Sequence, residues 1–406
     1  MKFDIFLSIC QTDVDGYLPS ERVMFQNFFE QLKCADELGF ETAWVAETHL
    51  SCQVQKENPG AVIPFFKGEI GLNTDILQLA HLAFKHTERI HIGSAIRNIV
   101  CNGGPVAHAE AVKTFLTLHE LMGPKERNLQ LGFAAGRFPF TNSAYGFNAK
   151  TELEKSSWEI IKNKYFQQAT EIFLRLLKNE SLASRNIETR YLSAKDYRDP
   201  KQWDQVRQNF SSFLDSSERI PLPQHWDFEK VGVIPFEAKL DRLKLTIGTH
   251  DPETQIIANQ FLPVGVFNLS IVPEKVIAET HERMKANYHK AGGPWRRELM
   301  PRTVMIFLED QPGKSDSENS QQAKAMAERA WRNYWSALEG TIDTEKVQQA
   351  VSNTIAGNWK EVLQQMKAKY HPEDRIMAWF DFNNHDNENV KTAMKTFIEK
   401  VARELQ

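Results

Sequence analysis

Apolar stretches of strand length alternate with stretches of helical periodicity along most of the chain, and this alternation leaves few possible folds. Residues 304–308 are apolar at every position, which is typical of parallel strands that are buried on both faces. Eight strand–helix units in 406 residues predict an α/β fold, a (β/α)8 TIM barrel. An open doubly wound sheet is the alternative arrangement.

The boundaries of the predicted elements follow from these patterns. The eight predicted strands are 3–8, 42–46, 90–96, 129–136, 243–248, 264–269, 302–308 and 375–382. The predicted helices are 25–38, 76–84, 107–122, 153–178, 254–261, 274–291, 321–338, 361–370 and 390–405.

The alternation stops after the fourth strand and its helix. Residues 181–225 are polar, with few periodic apolar positions, and strand 5 begins only at residue 243. We therefore predict one domain over 1–406 with an insertion between strands 4 and 5, residues 181–242, which we interpret as a lid. A simple surface excursion of the chain is the alternative interpretation.

Composition excludes several classes of protein. The chain has 49 basic and 53 acidic residues, a net charge of −4, which gives no electrostatic surface for nucleic acid or for an anionic membrane. Its apolar fraction of 41% excludes a wholly disordered chain. No apolar run approaches the ~18 residues of a membrane span. Four cysteines without Cys-x-x-Cys spacing predict free thiols and a cytoplasmic location.

Several common catalytic motifs are incomplete or absent. The Gly313-Lys314-Ser315 run resembles the end of a phosphate-binding loop, but Leu308 stands where its first glycine is required. His119 and His281 each precede a glutamate, but neither has the second histidine of a zinc motif four residues after the first. The sequence contains neither G-x-G-x-x-G nor G-x-S-x-G. We predict no metal site.

The chemistry of a barrel lies at the carboxyl ends of its strands, where this sequence carries many polar residues. Glu47 and His49 follow strand 2. Histidine exchanges a proton near neutral pH, and a carboxylate can fix its tautomer, so we predict this pair as catalytic. A hydrogen-bond network at the strand end is the alternative interpretation.

The end of strand 5 carries a second candidate site. Gly248 closes the strand, and Thr249 and Thr254 flank the start of the next helix. Their hydroxyls and the free N–H groups of that helix predict a phosphate site, provided that Asp251 and Glu253 face away from it. Ordinary helix capping by Thr249 or Asp251 is the alternative.

Several segments resemble the bacterial luciferase-like flavin monooxygenases. Residues 35–49 are similar to the family's A-x-x-x-G-F-D-x-x-W-x-x-E-H-H motif. Further similarity runs through 87–95, 105–110, 131–137, 145–146, strand 8 and 356–362. The resemblance covers nearly the whole chain except about 181–225.

This resemblance implies a barrel that binds reduced FMN, often delivered by a separate flavin reductase. A flavin peroxide would form with O2 and insert one oxygen atom into a small organic substrate in a shielded pocket. We therefore predict a two-component, FMNH2-dependent monooxygenase, a homodimer that pairs through the helices after strands 2 and 3. A deazaflavin-dependent oxidoreductase and a non-catalytic flavin-binding protein are the alternatives.

The resemblance also implies roles for individual residues. The Ala95–Ile96 bond would be a cis peptide beneath the flavin ring, and Asn98 and Tyr145 would line the flavin region. The predicted phosphate-binding residues are Gly136, Arg137, Gly248, Thr249 and Thr254.

The chain departs from the family at two of these places. Thr48 occupies the position of the luciferases' catalytic histidine, so the acid–base role passes to His49, which matches the second histidine of the motif. Ala135 stands where the luciferases have a phosphate-binding arginine, and Arg137 is the predicted substitute.

Overall fold

The computed structural model describes residues 1–50, 52–57, 67–122, 126–136, 138–339 and 342–405. The strands are β1 (Lys2–Leu7), β2 (Gln11–Thr12), β3 (Thr42–Val45), β4 (Gly68–Glu69), β5 (His91–Asn98), β6 (Leu129–Ala134), β7 (Tyr191–Leu192), β8 (Ile220–Pro221), β9 (Leu243–Ile247), β10 (Val264–Val266), β11 (Arg302–Leu308), β12 (Ile355–Gly357) and β13 (Arg375–Trp379).

Helices follow most of these strands and cover the sheet. They are α1 (Glu21–Leu38), α2 (Cys52–Gln55), α3 (Ile76–His86), α4 (Gly104–Leu121), α5 (Pro139–Ala144), α6 (Glu152–Leu177), α7 (Pro200–Asn209), α8 (Pro252–Phe261), α9 (Glu274–Asn287), α10 (Asp316–Glu339), α11 (Thr344–Asn353), α12 (Trp359–Lys369) and α13 (Asn387–Thr396).

Nine of the described strands form one parallel sheet in the order β10-β9-β6-β5-β3-β1-β13-β11-β12. The first strand of the chain lies beside β13, one of the last, as in a curled sheet and unlike a doubly wound one. Asn268, just after β10, bridges in parallel to Arg302 of β11, so hydrogen bonds join the two sides of the curl. The predicted α/β class is confirmed, and we refer to the curled sheet as the barrel.

All eight predicted strands are present, with ends that differ by a few residues. Sequence signals also mark where helices begin and end. Gly39 stops α1 in a left-handed conformation (φ 87°), and Thr151 and Glu154 form a reciprocal cap at the start of α6.

The short strand β12 was not predicted. It adds to the edge of β11 near the carboxyl end of that strand, where Leu308 pairs with Gly357. With α10 and α11 it forms a unit between β11 and α12. Three residues are too few to show a strand pattern in a sequence.

Residues 181–242 hold α7, the antiparallel pair β7–β8 and several short turns. The segment packs along α6 and α4: Arg190 contacts Glu171 of α6 at 2.9 Å, and Lys113 of α4 donates to the carbonyl of Val233 at 2.7 Å. Trp226 of this segment lies against Gly104, at the start of α4. Its roles as an insertion and as a lid stay predictions.

Within the described ranges, no helix is long and apolar enough to cross a membrane. In the same part of the chain, no group of three or more histidine, cysteine, aspartate and glutamate side chains is placed to hold a metal ion.

Candidate active site

Glu47 and His49 lie together just after β3, on the rim where the barrel strands end, which we call the carboxyl edge. Oε1 of Glu47 is 3.4 Å from Nε2 of His49. The Glu47 side chain is fully buried and that of His49 nearly so. A buried carboxylate beside an imidazole can accept its proton or orient it, as the sequence predicts.

Arg97 fixes the carboxylate of Glu47. Its Nη1 lies 3.2 Å from Oε1 of Glu47 and 3.1 Å from Oδ1 of Asp75. The other oxygen of Glu47 accepts the backbone N–H of Ile76 at 3.1 Å, at the start of α3. Glu47 is therefore held by a cation and a helix N-terminus, and Oε1 also faces His49.

Arg97 also determines the state of His108 on α4. Nε of Arg97 donates to Nδ1 of His108 at 2.9 Å, so the proton of the neutral imidazole is on Nε2. That nitrogen is 2.9 Å from the carbonyl of Cys101 and donates to it. Burial, together with the charge of Arg97, lowers the pKa of His108 to about 3. His108 is therefore a neutral support and not an acid or base at neutral pH.

A turn after β5 returns this network to His49. Asn102 has a positive φ (51°), and its side-chain nitrogen lies 3.2 Å from Nδ1 of His49. His108 donates to the carbonyl of Cys101, the residue before Asn102, and so helps to hold this turn. Arg97 therefore supports the His49 ring from two sides. It contacts Glu47, which faces Nε2 of the ring, and it contacts His108, which holds the turn that faces Nδ1. We call this set of residues the Arg97 network.

A second polar cluster lies beside it, formed by Asn98, Cys101, Asn142 and Gly136. Nδ2 of Asn98 donates to Oδ1 of Asn142 at 2.9 Å and lies 3.1 Å from Sγ of Cys101. Gly136 has φ 74°, and a Cβ there would come within 2.1 Å of Asn98 Nδ2. Burial raises the pKa of the Cys101 thiol to about 12, so this thiol is protonated and is not a nucleophile.

The inner wall beneath these groups is apolar. The Ala95–Ile96 peptide bond is cis, as predicted. The Ile96 side chain occupies the space left by two glycines: a Cβ on Gly248 would come within 2.5 Å of it, and one on Gly132 within 3.3 Å. Ala95 and Ile96 are half-buried and, with Ala46, pack against a buried cluster of Phe6, Trp44, Phe267 and Met377. We call Ala46, Ala95 and Ile96 the apolar floor.

Aromatic side chains pack beside the same buried cluster. Trp379, at the end of β13, packs on Phe6 at 4.5 Å and on Phe382 at 5.1 Å between ring centres. Phe382 also contacts Trp331 and Tyr334 of α10, at 4.8 and 5.7 Å. We call these rings of β13, α10 and the loop after β13 the aromatic wall.

The end of β9 carries a helix cap. Asp251 is the N-cap of α8: one carboxylate oxygen accepts the backbone N–H of Thr254 at 3.0 Å and also its hydroxyl. Oγ1 of Thr249 accepts the N–H of Asp251 at 3.2 Å. Asp251 therefore does not face away from the helix start, contrary to the sequence expectation, and the capping alternative holds for Asp251.

The other predicted residues are distributed around this edge. Tyr145 is exposed at the end of α5, with its ring centre 6.0 Å from that of His49. Gly136 is also exposed. Arg137 lies outside the described residues.

The sequence patterns assign no role to Arg97 or to His108. A charged residue directly after the predicted strand 90–96 was the available signal for Arg97. His108 carries no local signal, because its partner is eleven residues away on another element.

Residues 1–156 match the profile of a family described as luciferase-like monooxygenase. Over these residues the chain is similar to that family. The match covers the Arg97 network, the cis peptide and α5. No curated relative matches the sequence.

Solved structures with low sequence identity share the fold. Monooxygenase RslO1 from Streptomyces bottropensis is 16% identical with a TM-score of 0.66, and the match covers 100% of both chains. The oxygenating constituent of 3,6-diketocamphane monooxygenase from Pseudomonas putida, in complex with FMN, is 13% identical with a TM-score of 0.60, over 100% of this chain and 99% of that one. An F420-dependent secondary alcohol dehydrogenase is 12% identical with a TM-score of 0.57, over 99% and 98%.

Proposed function

We propose that this luciferase-like protein is a monooxygenase that takes reduced FMN from a separate flavin reductase and inserts one oxygen atom of O2 into a small organic substrate. The other oxygen atom leaves as water, with the two electrons and two protons that reduced FMN supplies. The observation that carries the proposal is the fixed Glu47–His49 pair beside the half-buried apolar floor of Ala95 and Ile96.

The floor fits a flat ring system. Its members Ala46, Ala95 and Ile96 are apolar and half-buried, and Trp379 packs against the same buried cluster. Asn98 and Tyr145 would lie beside the ring. Apolar contact below and polar groups at the rim are what a planar cofactor with polar edges requires.

The phosphate group of the flavin would lie at the end of β6 and β9. Gly136, Gly248 and Thr249 are accessible at the carboxyl edge, and we propose that they hold the phosphate with Arg137. The Thr254 hydroxyl already donates to Asp251 and supports the helix start. The segment 181–242 would then help to exclude water through Trp226, which packs beside the Asn102 turn at Gly104.

Within this site His49 would move the proton, and Glu47 would orient it. We expect His49→Ala to lower product formation about 10²–10⁴-fold, the usual contribution of a general acid or base, while flavin binding changes little. The control is Thr48→Ser, which keeps the hydroxyl bond from Thr48 to the carbonyl of Gly71. Unchanged turnover in His49→Ala would remove His49 from the catalytic residues.

The cofactor is tested by anaerobic titration with reduced FMN and, in parallel, with a reduced deazaflavin, followed by an air pulse under stopped-flow absorbance. We expect tight binding of reduced FMN and a transient near-ultraviolet band after air. Deazaflavin binding without such a band would assign hydride transfer instead. Binding of neither cofactor would overturn the proposal.

We also propose that two copies pair through α3 and α4. Leu82 on α3 and Leu118, Leu121 and Met122 at the end of α4 are large apolar side chains exposed on this face. Leu121→Lys should shift a dimer toward monomer in sedimentation equilibrium. Phe213→Lys, at an equally apolar and exposed position on another face, should leave the mass unchanged. A monomeric wild-type protein would contradict this pairing.

A further inference from the structure

A cavity of about 520 Å³ opens at the amino end of the barrel, where the strands begin. Its lining includes Lys2, Thr42 and Arg375, the first residues of three strands, so it lies at the end opposite Glu47 and His49. The volume is within the range of about 300–1,000 Å³ that small-molecule sites occupy. The proposed flavin chemistry does not use this end.

An unusually long connection forms one wall of the cavity. α9 ends at Asn287 and β11 begins at Arg302, so fourteen residues (288–301) join a helix to the next strand, where about two to six are usual. Tyr288, Arg296 and Leu299 of this connection line the cavity. The extra length therefore encloses space that a short connection would leave open.

The lining carries more positive than negative charge. Its basic residues are Lys2, Lys244, Arg296 and Arg375, and its acidic residues are Asp4 and Glu298. Both acidic groups are paired: Asp4 contacts Arg375 at 2.8 Å, and Glu298 contacts Lys2 at 3.1 Å. In the described part of the chain no carboxylate lies within 4.0 Å of the Lys244 ammonium group. Lys244 is therefore a cation available to a ligand.

Apolar side chains face the same space. Leu240, Leu262 and Leu299 line the cavity and are half-buried, so part of each side chain is open to it. An apolar surface next to an unpaired cation recognises a molecule with an apolar body and an acidic group.

We propose that the amino-end cavity is a second ligand site, which binds a small organic anion with an apolar body. The acidic group contacts Lys244, and the apolar body lies on the leucine side chains between β9, α8 and the 288–301 connection. The site is separate from the flavin site and is occupied with or without FMN.

The test uses two fluorescent probes of nearly the same shape, anilinonaphthalenesulfonate and the uncharged phenylnaphthylamine, each titrated into the full chain without FMN and again with excess FMN. Lys244→Gln should weaken the sulfonate about five-fold, the effect of one exposed charge contact, and leave the uncharged probe unchanged. Leu262→Gln should weaken both probes. The control Lys275→Gln, on the exposed face of α9, should change neither.

Three results would overturn the proposal: no saturable binding of the sulfonate, equal binding by Lys244→Gln and Lys275→Gln, or displacement of the probe by FMN. The last result would assign the probe to the carboxyl edge. Urea unfolding of each variant establishes that it is folded, and Lys244 is exposed, so its substitution leaves the core intact.

Discussion

An arginine paired with a buried carboxylate lies at each end of this barrel, and the two differ in what surrounds them. At the carboxyl edge Arg97 pairs with Glu47 and Asp75, and Glu47 also faces His49. At the amino end Arg375 pairs with Asp4 at 2.8 Å and with Glu41 at 2.9 Å.

At the amino end, the second carboxylate oxygen of Asp4 contacts a group that does not titrate. The second oxygen of Asp4 accepts the indole N–H of Trp44 at 2.8 Å. Burial raises the pKa of Asp4, and Arg375 opposes that rise. Similar ion pairs therefore serve different purposes: the pair at Asp4 joins strands, whereas the pair at Glu47 holds a carboxylate against a group that can exchange a proton.

The comparison is tested most strongly by removing each arginine. Arg375→Met and Arg97→Met each leave a buried carboxylate without its cation, so each should lower the free energy of unfolding by about 3–5 kcal/mol in urea titrations. Only Arg97→Met should also slow product formation by the folded protein. Arg97→Lys, which keeps the charge, should restore part of that rate. Equal losses of rate in both methionine variants would remove the distinction.

The neutral histidine of the Arg97 network should appear in the pH dependence of stability. The pKa of folded His108 is about 3, below the 6.5 of an unfolded histidine, so the unfolded state binds more protons between these values. Stability therefore falls as the pH falls through this window, by about 2 kcal/mol from His108 alone between pH 6.5 and pH 5.

His108→Gln should remove that part of the loss in urea titrations at the two pH values. The exposed His86→Gln should keep the wild-type difference. An unchanged pH dependence in His108→Gln would show that this histidine does not have the predicted environment.

The smallest effect is expected at the turn that contacts His49. Asn102→Gly removes the amide but suits the positive φ at this position, so it should cost about 1 kcal/mol of stability. The same loss of one contact to His49 should slow product formation about five-fold. Glu218→Gly, at an exposed position with φ 54°, is the matched control and should not change the rate. A rate equal to wild type in Asn102→Gly would exclude Asn102 from positioning His49.

The sequence predicts the sheet well, because the strands of a buried parallel sheet are continuous apolar runs that few other structures produce. The pairing of Glu47 with His49 was also predictable, since only Thr48 separates them at one strand end. The cis bond at Ala95–Ile96 was predictable only through the family resemblance.

The rest of the site depends on contacts between distant parts of the chain. Glu47 is fifty residues from Arg97, and neither residue type indicates its partner in one sequence. At Asp251 the sequence allowed both a phosphate site and a helix cap, and the side-chain rotamer decides between them. Such choices are made by packing and not by local pattern.

The aromatic wall and the Arg97 network come from different halves of the chain. The wall is built mainly from residues 331–382, and the network from residues 47–108. Substitutions in the wall therefore leave the contacts of the Arg97 network unchanged. Under the proposed function, exchange of α10, α11 and β12 between homologues would change which substrate is oxidised and would leave the residues proposed for proton transfer as they are.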